Sequence, residues 1–157
     1  MHPILQSEVV LELIVATVLG AVLGFERSLA GKHAGMRTYA LVSMGSCLFT
    51  VAGTLAAFEL SIFSAINPLL IASSVVVGIG FIGAGLSATH GEGNNHAELT
   101  TASGIWVAAG IGMAVAFGFY SIAIAATLLG LLTFSLLANV ERRLRLRFGA
   151  KYTENNN

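Results

Sequence analysis

The chain has 157 residues, of which 55% are hydrophobic and only 10% charged, with 18 glycines, two prolines and a formal net charge of zero. A soluble domain carries about 25% charged residues, so an ordinary water-facing surface is excluded, and a mean hydropathy of +0.82 points to one domain whose solvent is lipid. The Lys and Arg residues fall in two clusters, Arg27 to Arg37 and Arg142 to Lys151; without a soluble fold to present them they do not make a nucleic-acid site.

Crossing the hydrocarbon takes roughly 17 to 25 mostly apolar residues in helical form. The opening "MHPILQSEVVLEL" has no Lys or Arg before its apolar run and makes a poor signal peptide. The first expected span is Val9 to Phe25. It holds Glu12, about 6 Å along the helix from the outer end at 1.5 Å per residue. Intramembrane carboxylates commonly handle protons or cations, so Glu12 reads as either such a group or a hydrated interfacial one. Ala16, Gly20 and Gly24 form a small-residue stripe on the same side, which in lipid lets helix backbones approach closely.

The connection 26 to 37 collects Glu26, Arg27, Lys32, His33 and Arg37. Positive charge of this kind holds a loop on the cytoplasmic side. A sharper expectation is a structural ion pair between Glu26 and Arg37 that closes the inner end of the bundle. The second span, Thr38 to Phe58, contains Cys47, the only cysteine, read as a small packing residue. After "ELSIFSAINP", Pro68 starts the third helix, where a missing N–H costs nothing.

The third span, Leu69 to Thr89, contains "GIGFIGAG". Gly78, Gly80 and Gly83 satisfy G-x-G-x-x-G, but a dinucleotide site needs a strand before the glycines and a helix after them. Neither flank fits, so these residues and Gly85 are read as helix-packing grooves with a local distortion. The connection "HGEGNNHAELT" offers His90, Glu92, His96 and Glu98 as weak metal-ligand candidates, at spacings that match no zinc pattern. A helix start is the better reading there, with Asn95 and Glu98 spaced like a capping box.

The fourth span, Thr101 to Gly118, carries the stripe Gly104, Ala108, Gly112 and Ala116. A tight turn around Gly118 to Tyr120 leads to the fifth span, Ser121 to Val140. Residues 141 to 157 then form a basic tail whose "RRLRLRF" snorkels to the membrane surface. Five spans with the N-terminus outside place both basic clusters in the cytoplasm, whereas four would split them across the bilayer. The expected architecture is therefore an all-α integral membrane bundle of five transmembrane helices over residues 1–140, with the C-terminus cytoplasmic.

Three stretches together resemble the MgtC/SapB family of bacterial inner-membrane proteins. They are "LGFERSLAGKHAGMRTYALVSMGSCLF" at 23–49, "VVGIGFIGAGL" at 76–86 and "LTTASGIWVAAGIGMAVAFG" at 99–118. The resemblance implies a multi-pass protein of the bacterial inner membrane linked to magnesium limitation, acid stress or survival inside hosts, with a regulatory role. It also implies that chains of the longer type continue into a cytoplasmic domain resembling an ACT fold. Its motif residues, with the charged connection, make a candidate functional cluster at the cytoplasmic helix ends: Glu26, Arg27, Arg37, Thr38, Thr100, Thr101 and Trp106.

The four histidines, at 2, 33, 90 and 96, stand in no nucleophile, base and carboxylate order, so neither an enzyme nor a bound cofactor is expected. The expected partners are the lipid bilayer and another membrane protein or a second copy, engaged through helix contacts. The alternative is a small oligomeric pathway for cations or protons, motivated by Glu12 and the charged cluster.

Overall fold

In a computed structural model of the chain, residues 3–59, 68–88, 95–141, 143, 144, 146 and 147 are described; side chains are described from Gln6 onward, apart from those of residues 58–68 and 87–98. Among them the elements are helical: α1 Pro3–Leu29, α2 Met36–Glu59, α3 Pro68–Ala88, α4 Asn95–Ala116 and α5 Tyr120–Leu132. The last of these passes through a π-helical segment, Thr133–Leu137, into further helix. Five helices among the described residues are long and apolar enough to cross a membrane.

Two glycines with left-handed backbone end helices and set the antiparallel turns. Gly31 has φ +64° and Gly118 φ +74°. After α1 the Gly31 N–H donates to the Ser28 carbonyl (3.2 Å) and the Lys32 N–H to the Arg27 carbonyl (3.0 Å). After α4 the Gly118 N–H donates to Val115 (2.9 Å) and the Phe119 N–H to Ala114 (2.8 Å). Each pair satisfies carbonyls that a helix end would otherwise leave bare. The first turn is tied further by the Met36 N–H, which donates to the Ser28 hydroxyl at 2.8 Å. The connection expected at 26 to 37 is shorter than that: only residues 30–35 form the corner, with Glu26 and Arg27 on the last turns of α1 and Arg37 on the first turn of α2.

The centre of the bundle is α4, with 44% of its apolar span buried against 6% for α3. Close approach of α1, α2 and α4 makes the core. A Cβ at Gly20 would stand 2.5 Å from the Tyr39 carbonyl oxygen and 2.7 Å from Ser43 Cβ, and one at Gly24 2.7 Å from Tyr39 Cβ. A Cβ at Gly112 would run into the Ser43 carbonyl, and one at Gly104 into the Tyr39 hydroxyl and Phe134. Ala16, Leu23, Ile105, Ala108, Ile111 and Val115 fill the space between. Without a hydrophobic drive between helices in lipid, this close contact is what holds the spans together.

The glycine-rich third span departs from expectation. It is α-helical throughout Pro68–Ala88, so the local distortion expected at "GIGFIGAG" is absent from it; the one described departure from α-helix inside a span is the Thr133–Leu137 segment. A Cβ at Gly83 would stand 3.4 Å from Ala102 Cβ of α4, but one at Gly78, Gly80 or Gly85 would meet nothing within 4 Å among the described residues. Among the described residues those three meet no packing partner, because α3 lies at the edge of the bundle and turns most of its surface outward.

Candidate functional site at the basic end of the bundle

Where α1 ends, Arg27 is turned inward and is 4% exposed. Its Nε lies 2.8 Å from Glu26 Oε2, and its guanidinium carbon sits 4.1 Å from the centroid of the Phe134 ring. Residues i and i+1 of a helix do not normally face each other; here Arg27 is pulled under the bundle, and the neighbouring carboxylate folds over it. The expected Glu26 to Arg37 pair is not formed. Arg37 is exposed on the first turn of α2, whereas the buried guanidinium of Arg27 gains most from the nearby carboxylate.

Phe134 reaches this position from the π-helical segment and stands edge-on to Tyr39, with ring centroids 6.4 Å apart at 82°. The Tyr39 hydroxyl donates to the Thr101 carbonyl at 3.3 Å. Gly104 fits against both rings. The result is a plug in which α1, α2, α4 and the end of α5 each supply a part: a cation with its carboxylate, two aromatic rings and a helix carbonyl. Tyr39 lies within the 23–49 stretch but was not singled out there, and no sequence signal marks Phe134, since only the π segment turns it inward.

Of the residues expected to form a cluster here, the structure brings Glu26, Arg27 and Thr101 together. Thr38 is half-buried beside them in sequence, while Arg37, Thr100 and Trp106 are exposed, Trp106 at 55%. His90 and Glu92 lie outside the described residues, as do the side chains of His96 and Glu98. Among the described residues, no group of three or more His, Cys, Asp or Glu converges to hold a metal ion.

A second polar feature runs away from the plug along α2. Tyr39, Ser43, Ser46 and Thr50, spaced four, three and four residues apart, are all buried. In a span, hydroxyls usually bond to the carbonyl one turn back, as Thr17 does to Leu13 (2.6 Å), Thr50 to Ser46 (2.7 Å) and Thr127 to Ala123 (2.9 Å). The Ser43 and Ser46 hydroxyls, by contrast, meet no partner among the described residues. Toward the opposite end, Glu12 is half-buried, with Tyr120 at the start of α5 near it. This row is readable as helix-spaced hydroxyls once attention moves from charges to small polar residues.

The profile of the MgtC family matches residues 13–143, which takes in the plug, the hydroxyl row and the glycine-rich third span. The chain is 36% identical over 140 residues to the "Putative magnesium transporter YhiD" of Escherichia coli K12, covering 88% of this chain and 64% of that protein. It is 34% identical over 142 residues to "Protein SapB" of Bacillus subtilis, with 89% and 61% covered. With "Protein MgtC" of Salmonella typhimurium it shares 36% over 135 residues, with 86% and 54% covered. The chain thus spans a little over half to two thirds of the length of these relatives. No solved structure matches it. A match that runs through nearly all five helices, together with relatives above 30% identity, makes this multi-pass membrane protein a member of the MgtC family.

Proposed function

We propose that the chain is a non-catalytic modulator in the bacterial inner membrane, with the N-terminus outside, that acts by docking a helix of another membrane protein against the outer face of α3. The observation that carries this reading is the open stripe on α3: Gly80 and Ala84 are exposed, as are Val77 and Phe81 beside them, and a Cβ at Gly80 meets nothing within 4 Å. Small residues at four-residue spacing are what a second helix needs for close approach in lipid. The resemblance to proteins tied to magnesium limitation and acid stress supports a regulatory setting.

The buried hydroxyl row between Glu12 and Tyr39 favours a second reading, a cation or proton pathway, as does the name of the Escherichia coli relative, a "Putative magnesium transporter". Against it stands the packing at that level: Gly20 and Gly112 press on the α2 backbone at Ser43 with no room for a single carbon. Conduction would require those helices to part.

A photo-reactive side chain at Gly80 or Ala84 is expected to give a discrete protein adduct in native membranes, and one at Leu128, on the exposed side of α5, is expected to give none. Purified protein in liposomes is expected to move neither magnesium nor protons. A flux that Glu12→Gln abolishes would overturn the modulator reading in favour of the pathway.

A further inference from the structure

α2 and α3 touch near one end and part toward the other. At Gly53 a Cβ would run into the Ile71 side chain, whereas at Gly45 and Gly78 it would meet nothing within 4 Å. Between the helices lies a cleft of about 570 Å³, walled by Leu41 and Phe49 on α2 and by Ile71, Ile79 and Ile82 on α3. It narrows at Gly53 and widens toward the end of the bundle that carries the Arg27 to Arg37 corner.

The basic residue on α2 just beyond the lining is Arg37. It lies one turn before Leu41 on the same face of α2, is exposed, and its Cα–Cβ bond tilts toward the helix N-terminus, beyond the cleft. The lining is hydrocarbon in character, so its occupant must be apolar along the cleft and anionic at the mouth. A tapering cleft with a guanidinium beyond its open end fits a single hydrocarbon chain joined to a phosphate, which Arg binds through paired N–H groups.

We propose that the cleft between α2 and α3 takes one acyl chain of an anionic phospholipid from the leaflet at the basic end, and that Arg37 holds its phosphate. Basic groups between transmembrane helices are a recognised setting for such headgroups. The cleft face of α3, with Gly78 and Ile82, lies opposite its Gly80 and Ala84 face, so this lipid site neither requires nor excludes a helix partner there.

The test uses the full chain, stripped of lipid in an uncharged detergent and titrated with phosphatidylglycerol or phosphatidylcholine of identical acyl chains, with bound lipid counted by native mass spectrometry. One phosphatidylglycerol is expected to be retained with about fivefold preference, the factor one basic side chain provides near anionic lipid. Arg37→Gln is expected to erase the preference, Lys32→Gln to keep it, and Gly78→Leu, which fills the cleft where there is open space, to weaken binding of both lipids while helicity is retained. A preference that survives Arg37→Gln, or binding indifferent to Gly78→Leu, overturns the proposal. So does a disulfide-linked dimer formed through Gly45→Cys in lipid membranes, which would assign the cleft to a second copy.

Discussion

The Arg27 guanidinium rests on the face of the Phe134 ring, 4.1 Å from its centroid, and so ties the end of the first helix to the end of the last. A cation held over a ring away from water contributes about 2 kcal/mol. A double-mutant cycle with Arg27→Lys and Phe134→Leu, read by unfolding in detergent, is expected to return a coupling of about 1 to 2 kcal/mol. Additive single effects would mean that the ring merely fills space.

Glu26 and Arg37 should part company in the same assay. Removing the carboxylate beside a buried guanidinium leaves a charge uncompensated, a loss of up to about 3 to 5 kcal/mol; Glu26 is only partly buried, at 23% side-chain exposure, so Glu26→Gln is expected to cost roughly half of that or less. Arg37→Gln, at an exposed position, is expected to change stability by less than about 0.5 kcal/mol. Equal losses for the two variants would restore the pairing of Glu26 with Arg37.

That contrast also shows where the amino-acid sequence is legible and where it is not. The helices could be read because hydrocarbon demands uninterrupted apolar runs and because Pro68 and Gly118 punctuate them; the end of α1 at Gly31, past Glu26 and Arg27, was not read. Glu26 with Arg37 was the natural pairing on charge alone, since adjacent residues on a helix rarely face each other. Burial of Arg27 depends on Phe134, which the π-helical segment turns inward, and nothing in "TFSLL" announces it. The stripes at Gly20, Gly24, Gly104 and Gly112 could be recognised by spacing, as could Gly78, Gly80 and Gly85, but spacing does not say whether the partner comes from the same chain.

The glycines therefore divide into two groups with opposite responses. Gly112→Ala and Gly104→Ala introduce a methyl where the Ser43 carbonyl or the Tyr39 and Phe134 rings already stand, and overpacking of this kind costs about 1 to 3 kcal/mol. Gly80→Ala and Gly85→Ala have open space and gain helix propensity, so their thermal midpoints in detergent are expected to stay level or rise. A fall at Gly80 comparable with that at Gly112 would place α3 inside the bundle.

The corner after α1 should be sensitive at Gly31, where a side chain in the left-handed region costs about 1 to 2 kcal/mol. Gly31→Ala is expected to lower stability by about that much even though the position is open. Ser28→Ala removes the acceptor for the Met36 N–H and is expected to cost about 1 kcal/mol. If both variants unfold like the parent, the corner adds nothing to stability and its role is confined to orienting the chain.

Ser43 and Ser46 distinguish structure from function most directly. Each hydroxyl is buried without a protein partner among the described residues, and an unsatisfied buried polar group costs about 1 to 3 kcal/mol. Ser43→Ala and Ser46→Ala delete that cost and keep nearly the same volume, so both are expected to leave the protein as stable or up to about 1 kcal/mol more stable. A pair of groups kept at the expense of stability calls for some other use, and the row runs between Glu12 and the Arg27 plug. If the two variants gain stability and the protein still moves no ions, the hydroxyls are packing remnants and the modulator reading stands. If instead parent protein in liposomes carries a proton or magnesium flux that either substitution removes while stability is kept, the row is a path, and the close contacts at Gly20 and Gly112 become the gate that must open.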